Sequence, residues 1–309
     1  MRIAFLGLGK MGLAIVPHLA QGHAVTAWNR TPKPAETFAE AGVIAASTPA
    51  EAVRDAEVVF SLLLNDDAVE RVFLGSTSGP GAISAMRPAT PHVCLSTISV
   101  ASSKRLWAAH SAAGKPFVAA PVFGRPHVAA QARLWSAIAG DEASLSAVQP
   151  LIERYSRGIT LVGSQPWTAH AMKIGGNFMI TAMIASLSEG FIFAESQGID
   201  PAVYLQVVNQ GLFQSPFYEL YGKLMLEPPA KPGGTVALGE KDARLFLDAA
   251  RESHAPVPLA EIFHLHLLRA ISEGMQDDDW AGGYYQLAQK LARQKHPGTP
   301  PDILSGANP

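Results

Sequence analysis

The sequence predicts an α/β fold in its first half and an all-helical domain in its second half. Over residues 1–163, short apolar runs of strand length alternate with helical patterns, which is typical of a parallel sheet with helices on both faces. Over residues 164–309 the patterns are helical, and the first of them is a long helix over about 166–196. We therefore expect an N-terminal doubly wound sheet of the Rossmann type, a long interdomain helix and an all-helical C-terminal domain.

Composition and charge are those of a globular protein. The 309 residues carry a net charge of −2 and no basic run interleaved with aromatic residues, so neither nucleic acid nor a membrane is an expected partner. Cys94 is the only cysteine, which excludes internal disulfides and cysteine-based zinc sites, and no metal site is predicted. A lone cysteine, the lack of a signal-peptide pattern and the lack of an uninterrupted apolar span lead us to expect a cytoplasmic protein.

The chain opens with the pattern of a dinucleotide-binding βαβ unit. Apolar runs over 2–6 and 24–28 flank a helical pattern over 13–20. Between the first run and the helix stand six residues with GxGxxG spacing: Gly7, Leu8, Gly9, Lys10, Met11 and Gly12. The first glycine permits a tight bend, the second lets backbone N–H groups approach a pyrophosphate, and the third lets helix and strand pack closely. We predict that these six residues bind a dinucleotide rather than form a merely structural turn, because strand, helix and second strand stand where the motif requires them.

The end of the second strand predicts which dinucleotide binds. An NAD site usually places Asp or Glu there to accept the ribose 2′-hydroxyl, whereas this chain has Asn29, Arg30 and Thr31. A guanidinium binds a 2′-phosphate, which a carboxylate would repel, and it stacks on the adenine. NADP(H) is therefore the expected cofactor. The alternative is that Arg30 is an ordinary solvated charge.

The next elements continue the alternation. In chain order the patterns predict helix 33–41, helix 49–54, strand 57–64, helix 65–74, loop 76–81, strand 92–95 and helix 101–113. The carboxyl end of a parallel strand faces the ligand in a doubly wound sheet. Leu63, Leu64 and Asn65, at the end of the strand over 57–64, should therefore border the cofactor.

Hydroxyl residues follow the strand over 92–95. Ser96 and Thr97 contact either the nicotinamide ribose or a substrate carboxylate, or they serve as helix caps, which is the role we favour for Ser99. Farther along, the patterns predict strand 117–120, strand 134–139, helix 142–155 and strand 159–162.

The second half is predicted to be helical throughout. After the long helix the patterns predict helices over 201–209, 216–226, 239–253, 258–274 and 284–295. Pro201, Pro216 and Pro258 fall near helix starts, where a missing N–H group costs little. The tail from His296, rich in proline and glycine, is expected to be disordered or loosely packed.

One face of the predicted long helix carries candidate chemistry. His170, Lys173 and Asn177 share this face because they are three and four residues apart. Lys173 has apolar sequence neighbours, and burial would move the pKa of a lysine toward the range of an acid/base group, although spacing alone favours a surface lysine or a structural ion pair. Asn177 is either a core amide or a substrate ligand, and His170 is expected to be structural. Gly175 and Gly176, each costing about 1 kcal/mol against alanine in a helix interior, indicate that another group approaches closely.

Together these motifs resemble the β-hydroxyacid dehydrogenase family, which includes 3-hydroxyisobutyrate dehydrogenases and glyoxylate/succinic semialdehyde reductases. The resemblance runs from residue 2 to about residue 290, and it depends on segments 5–12, 29–31, 96–99 and 120–122, on Lys173 with Asn177, and on Lys241 with Asp242. It implies that Lys173 is the catalytic general acid/base and that Asn177 holds the substrate. It also implies that Thr97 and Lys241 contact the cofactor.

The chain departs from the family pattern in the expected substrate region. After the Pro-Val pair that ends with Val122, the family usually has Ser-Gly-Gly, whose hydroxyl and backbone N–H groups receive the substrate carboxylate. This chain has Phe123, Gly124 and Arg125 there, and phenylalanine cannot donate that hydrogen bond. Arg125 either restores anion binding or faces solvent. These four residues and Ser96 are the predicted substrate contacts.

The expected activity is NADPH-dependent reduction of a small aldehyde or keto acid, or oxidation of the matching hydroxy acid, with Lys173 as the proton donor. An imine reductase or reductive aminase of the same 6-phosphogluconate dehydrogenase superfamily is the alternative. It would explain the apolar Phe123 and the aromatic residues Trp167, Phe178, Phe213 and Tyr218. Such relatives usually have Asp or Tyr in place of the lysine, so Lys173 favours carbonyl chemistry. A non-catalytic NADPH-binding module is a second alternative. The resemblance also implies a homodimer or a tetramer.

Overall fold

The computed structural model describes residues 1–77 and 79–295. The fold divides into two compact units, Met1–Gly175 and a second that begins at Gly176. The division falls inside one long helix, which begins in the first unit and continues into the second.

Over its described residues, the first unit contains eleven strands and eight short helices, followed by the start of the long helix. The strands are β1 (Arg2–Leu6), β2 (Ala24–Trp28), β3 (Ile44–Ala45), β4 (Val58–Ser61), β5 (Gly75–Ser76), β6 (Gly79–Pro80), β7 (His92–Cys94), β8 (Phe117–Ala119), β9 (Val122–Phe123), β10 (Leu134–Ala139) and β11 (Ser156–Gly163). The helices are α1 (Lys10–Ala20), α2 (Ala35–Glu40), α3 (Pro49–Val53), α4 (Asp66–Phe73), α5 (Ala82–Ala85), α6 (Val100–Ala112), α7 (Pro126–Ala130) and α8 (Glu142–Ile152).

The main sheet has the strand order β11-β10-β8-β7-β4-β1-β2-β3, with β9 paired to β10. All neighbouring pairs are parallel except β8 with β10 and β9 with β10. The chain leaves β1 toward β2 and β3 and then returns to β4 on the other side, so a topological switch point lies between β1 and β4. Ligands of doubly wound sheets bind at the carboxyl ends of such strands. The predicted fold class is confirmed.

Both faces of this sheet are covered. Ile3 and Phe5 of β1 belong to one apolar cluster, and Ala4 and Leu6 belong to another. Because successive side chains of a strand point to opposite faces, the two clusters lie on the two sides of the sheet. A strand buried on both faces explains why β1 is continuously apolar in the sequence.

The second unit is helical. After α9 (Pro166–Ser196) come α10 (Pro201–Val208), a π-helical turn (Asn209–Phe213), α11 (Pro216–Leu226), α12 (Val236–Glu252), α13 (Pro258–Ser272) and α14 (Trp280–Lys295). Their buried faces meet around large side chains that include Phe191, Phe263 and Tyr284. Glycines allow close packing, since a Cβ at Gly222 would lie 2.5 Å from a methyl carbon of Leu205.

Helix α9 is also long and apolar enough to cross a membrane by length and composition. Its most apolar window has a mean hydropathy of 1.4, and 50% of that window is buried inside the protein. A core helix of a soluble protein passes the same test, so one such helix is weak evidence for a span. The expectation that no membrane is involved stays a prediction.

Several elements differ from the sequence prediction. Strand β4 ends at Ser61 rather than at residue 64, because its neighbours β1 and β7 end at Leu6 and Cys94, which lie opposite Ser61. The segment expected to be a loop over 76–81 contributes to the antiparallel pair β5 and β6. The short strands β3 and β9 were not predicted, and the tail from His296 lies outside the described residues.

Candidate active-site residues

The glycine turn has the shape that a pyrophosphate requires. Gly7 has a φ of +110°, and a Cβ at Gly12 would overlap the carbonyl oxygen of Gly7, so the packing of the protein itself requires both glycines. Gly9 differs, because nothing lies within 4 Å of a Cβ built there. Gly9 is the N-cap of α1 and provides no side-chain cap. Open space beside the backbone N–H groups of a helix start is what a bound phosphate uses, so these residues fit a dinucleotide.

The end of β2 is tied to this turn. The backbone N–H of Leu8 donates to Oδ1 of Asn29 at 2.9 Å, and Nδ2 of Asn29 donates to the carbonyl of Thr31 at 2.7 Å. Asn29 therefore holds the turn and the strand end together, a role that the sequence did not indicate. Arg30 and Thr31 are exposed, and Leu8 is buried. In the turn, Lys10 is exposed and Met11 is half-buried.

Two loops at the carboxyl ends of β4 and β7 are joined by hydrogen bonds. The backbone N–H of Leu63 donates to Oγ of Ser96 at 2.8 Å, and the backbone N–H of Ser99 donates to Oδ1 of Asp66 at 2.9 Å. Ser96 is 1% exposed. Its hydroxyl therefore positions the neighbouring loop.

Two further residues of these loops cap helices. Asn65 is the N-cap of α4, and Ser99 caps α6 by accepting a hydrogen bond from the N–H of Ser102, as expected for Ser99. Thr97 is half-buried, and Leu64 is 66% exposed. Leu64 is therefore accessible to a ligand at the carboxyl end of β4, where ligands of doubly wound sheets bind.

The predicted catalytic lysine lies against an aromatic ring. Nζ of Lys173, in α9, is 4.4 Å from the ring centroid of Phe123, in β9. Both side chains are half-buried. Gly124 is exposed, Arg125 is half-buried at the N-cap of α7, and Val122 is 6% exposed. The structure therefore joins the lysine to the segment in which the chain departs from the family pattern.

In the second unit, Asn177 and Lys241 share one carboxylate. Nδ2 of Asn177 donates to Oδ2 of Asp242 at 2.5 Å, and Nζ of Lys241 lies 3.0 Å from Oδ1 of the same residue. Asn177 and Asp242 are 5% and 3% exposed. The aspartate thus fixes the amide of Asn177, which lies one helical turn after Lys173 on α9.

Sequence reasoning gave Asp242 no role beyond its place in the resemblance. A signal was present, because the buried positions of α12 include Val236, Gly239, Asp242 and Ala243, at helical spacing. A carboxylate on the buried face of an amphipathic helix needs a partner. The identity of that partner, 65 residues away in the sequence, was not accessible from the pattern.

His170 belongs to the interior of the first unit. Its ring is fully buried, Nδ1 lies 2.8 Å from Oγ of Ser103, and burial lowers its pKa to about 3. A histidine that stays neutral in the core has a structural place, as the sequence predicted. Within residues 1–77 and 79–295, no three His, Cys, Asp or Glu side chains are placed to hold a metal ion, and the absence of a metal stays a prediction.

Two family models match the chain. Residues 2–163 match the NAD-binding domain of 6-phosphogluconate dehydrogenase, and residues 168–284 match the NAD-binding domain of NADP-dependent 3-hydroxyisobutyrate dehydrogenase. The chain belongs to the β-hydroxyacid dehydrogenase family. This β-hydroxyacid dehydrogenase is therefore an NAD(P)-dependent oxidoreductase, as the sequence predicted.

Individual relatives agree with this assignment. The uncharacterized oxidoreductase YfjR of Bacillus subtilis is 39% identical over 283 residues, which are 91% of this chain and 98% of YfjR. Glyoxylate/succinic semialdehyde reductase 2 of Arabidopsis thaliana is 29% identical, covering 94% of this chain and 81% of the relative. Among solved structures, Mycobacterium tuberculosis 3-hydroxyisobutyrate dehydrogenase with L-serine is 28% identical, with a TM-score of 0.80 and coverage of 93% and 98% of the two chains.

Imine reductases share the fold at a greater distance. An imine reductase from Pseudomonas sp. is 17% identical, with a TM-score of 0.59 and coverage of 93% of this chain and 98% of the other. At this identity the similarity concerns the fold alone.

Proposed function

We propose that this β-hydroxyacid dehydrogenase reduces a small aldehyde or keto acid with NADPH, or oxidises the matching hydroxy acid, with Lys173 as general acid/base. The contact between Nζ of Lys173 and the ring of Phe123 carries the proposal, because it places the ammonium of a half-buried lysine beside the predicted substrate segment. A lysine on a solvated helix face would have no such partner.

The proposed preference for NADP(H) is supported by the charge at the end of β2. Arg30 is exposed there, and the segment Asn29, Arg30 and Thr31 contains no carboxylate that would repel a 2′-phosphate. The guanidinium would bind the 2′-phosphate, and the turn with Gly9 would receive the pyrophosphate.

Separate residues would transfer the proton, bind the substrate and contact the cofactor. When bound, the cofactor supplies the hydride. In reduction, Lys173 donates a proton from its ammonium to the substrate oxygen, and in oxidation its neutral amine accepts that proton. Asn177 would bind the substrate oxygen with an amide whose orientation Asp242 sets. Thr97 and Lys241 would contact the cofactor, and Val122 and Arg125 would line the substrate.

A substrate panel with Lys173→Ala tests the proposal. We expect substrate-dependent NADPH oxidation with glyoxylate, succinic semialdehyde or a related small carbonyl. Lys173→Ala should lower kcat by about a hundred- to ten-thousandfold, while the Kd for NADPH stays unchanged. Lys223→Ala, which removes a surface lysine paired with Glu219, is the matched control and should keep full activity. Full activity of Lys173→Ala would contradict the mechanism.

An imine reductase is the second candidate, and the aromatic residues favour it. Phe213 stacks on Tyr218 with ring centroids 4.4 Å apart, so two of the predicted aromatics form one apolar surface in the second unit. Phe178 instead stacks on Phe246 within the helical core. Cyclic imines reduced faster than glyoxylate and succinic semialdehyde would establish this candidate. NADPH binding without turnover of any carbonyl or imine would favour the non-catalytic module.

We also propose a homodimer, or a tetramer built from it, in the cytoplasm. Phe193, Val207, Leu212, Ile262 and Leu265 of the second unit are each more than 60% exposed. Where such side chains form one contiguous patch, the patch is typical of a surface that packs against another chain. Light scattering at micromolar concentration measures the assembly, and a monomer would contradict it.

A further inference from the structure

The backbone of Phe123 is held firmly at the edge of the sheet. Its strand β9 has only two residues, but it pairs antiparallel with β10 through Phe123 opposite Trp135 and Val122 opposite Ser136. The next residue, Gly124, has a φ of +140°, and a Cβ there would lie 2.6 Å from a methyl carbon of Leu134. Only glycine takes this conformation readily, so the exit of the chain from β9 is fixed.

The helix turn that carries Lys173 is also held within the first unit. His170, one turn earlier on α9, is fully buried and lies 2.8 Å from the hydroxyl of Ser103 in α6. Its ring stacks on Phe117 of β8 with centroids 6.5 Å apart. The backbone of Lys173 and the ring of Phe123 are thus presented to each other by two anchored elements.

We infer that Phe123 is a positioning residue for the proposed catalytic lysine: its ring face holds the ammonium of Lys173 in the place from which it donates its proton. This inference rests on the proposed function. The ring centroid lies 4.4 Å from Nζ, well within the distance of about 6 Å at which a cation is attracted by an aromatic face. A lysine side chain is a flexible chain of four carbons that ends in the ammonium group. A partner that limits the positions of the ammonium therefore favours the geometry in which it donates its proton to the substrate.

An aromatic partner suits a proton donor. A ring face attracts the charge of the ammonium and has no lone pair that accepts its proton. By the family resemblance, Phe123 stands at the position where a serine is usual. At this position the chain therefore has a ring that contacts the lysine.

Chemical labelling of the cofactor-free protein tests the contact without using activity. Acetic anhydride, with mass spectrometry of the Lys173 peptide, reports how readily the amine reacts. Phe123→Leu keeps an apolar side chain without a π face and should raise the labelling rate of Lys173 about two- to thirtyfold. Phe123→Tyr keeps the ring and should leave the rate near that of the parent protein. Lys104, whose Nζ lies 5.8 Å from the ring centroid of Trp167, is an internal control and should label equally in all three proteins.

Steady-state kinetics tests the consequence for the reaction. If the ring positions the lysine, Phe123→Leu lowers kcat about three- to thirtyfold with little change in KM, and Phe123→Tyr restores kcat. A role limited to binding the substrate would instead change KM and leave kcat unaltered. Equal kcat in Phe123→Leu and the parent protein would overturn the inference, and so would equal labelling of Lys173.

The two tests separate the inference from the proposed function. If Lys173→Ala is fully active, the lysine mechanism fails whatever the labelling shows. If Lys173→Ala is inactive while Phe123→Leu matches the parent protein in labelling and kcat, only the role of Phe123 fails.

Discussion

The hydroxyl of Ser96 accepts a hydrogen bond from the backbone N–H of Leu63 at 2.8 Å, across the two loops that leave β4 and β7. Ser96→Ala would leave this N–H without its acceptor in a half-buried site. We expect the free energy of unfolding to fall by about 1–3 kcal/mol, measured by urea denaturation. Ser186→Ala, at an exposed position of α9, is the matched control and should change it by less than about 0.5 kcal/mol. Equal stability of the two variants would show that the bond contributes nothing.

Gly9 and Gly12 should respond differently to alanine. Gly12→Ala places a Cβ onto the Gly7 carbonyl oxygen, where backbone cannot yield cheaply, so we expect a loss of several degrees in Tm or a failure to fold. Gly9→Ala meets no atom within 4 Å, so its Tm should match that of the parent protein. Its methyl group would occupy the space of the pyrophosphate, and the Kd for NADPH should rise about tenfold or more by fluorescence titration. Unchanged NADPH binding by Gly9→Ala would place the dinucleotide elsewhere.

Arg30 should make the protein bind NADPH more tightly than NADH. Removing one charge-assisted hydrogen bond to a phosphate costs about 1.5–3 kcal/mol, so Arg30→Ala should weaken NADPH binding about ten- to a hundredfold. NADH lacks the 2′-phosphate, and its Kd should stay the same. Arg54→Ala, which removes another exposed arginine of the first unit, controls for the loss of net charge. An equal effect of Arg30→Ala on both cofactors would contradict the proposed role.

Asp242 should contribute more to the free energy of unfolding than a surface carboxylate of the same helix does. Asp242→Ala removes the acceptor of Asn177 and the partner of Lys241, both of which contact it in a buried position. Breaking a buried pair from one side costs about 3–5 kcal/mol, which urea denaturation would detect. Asp248→Ala, with a side chain 46% exposed, should cost less than about 1 kcal/mol. Similar losses in the two variants would contradict the prediction.

Acid should destabilise the first unit through its buried histidines. Burial lowers the pKa of His110 to about 4 and of His170 to about 3, and it holds the pKa of His92 well below its usual value of 6.5. The unfolded chain therefore binds more protons than the folded chain below pH 6.5, so stability is lost as the pH falls toward these values. Between pH 7 and pH 5 we expect a loss of about 2 kcal/mol each from His110 and His170. His170→Gln should remove the part of this loss that His170 contributes. A free energy of unfolding that is the same at pH 7 and pH 5 would contradict the prediction.

The sequence predicted well those features that a local pattern specifies. Helix α9 has the predicted ends, Pro166 and Ser196, because a long apolar segment without internal proline can form every hydrogen bond of a helix. The turn from Gly7 to Gly12 follows β1 and opens α1, as the spacing of its glycines requires. The short strands β3 and β9 were missed, because two residues carry no periodicity and only pairing with β2 and β10 makes them strands.

By itself the sequence determined the fold class, the glycine turn between β1 and α1, and the helix that carries Lys173. Only the tertiary structure decided what these side chains contact. The ring beside Lys173 comes from Phe123, and the carboxylate beside Asn177 comes from Asp242, each from an element far away in the chain. Periodicity reports which face of an element is buried, but it carries no information about which distant element covers that face. Strand pairing and helix packing supply that information.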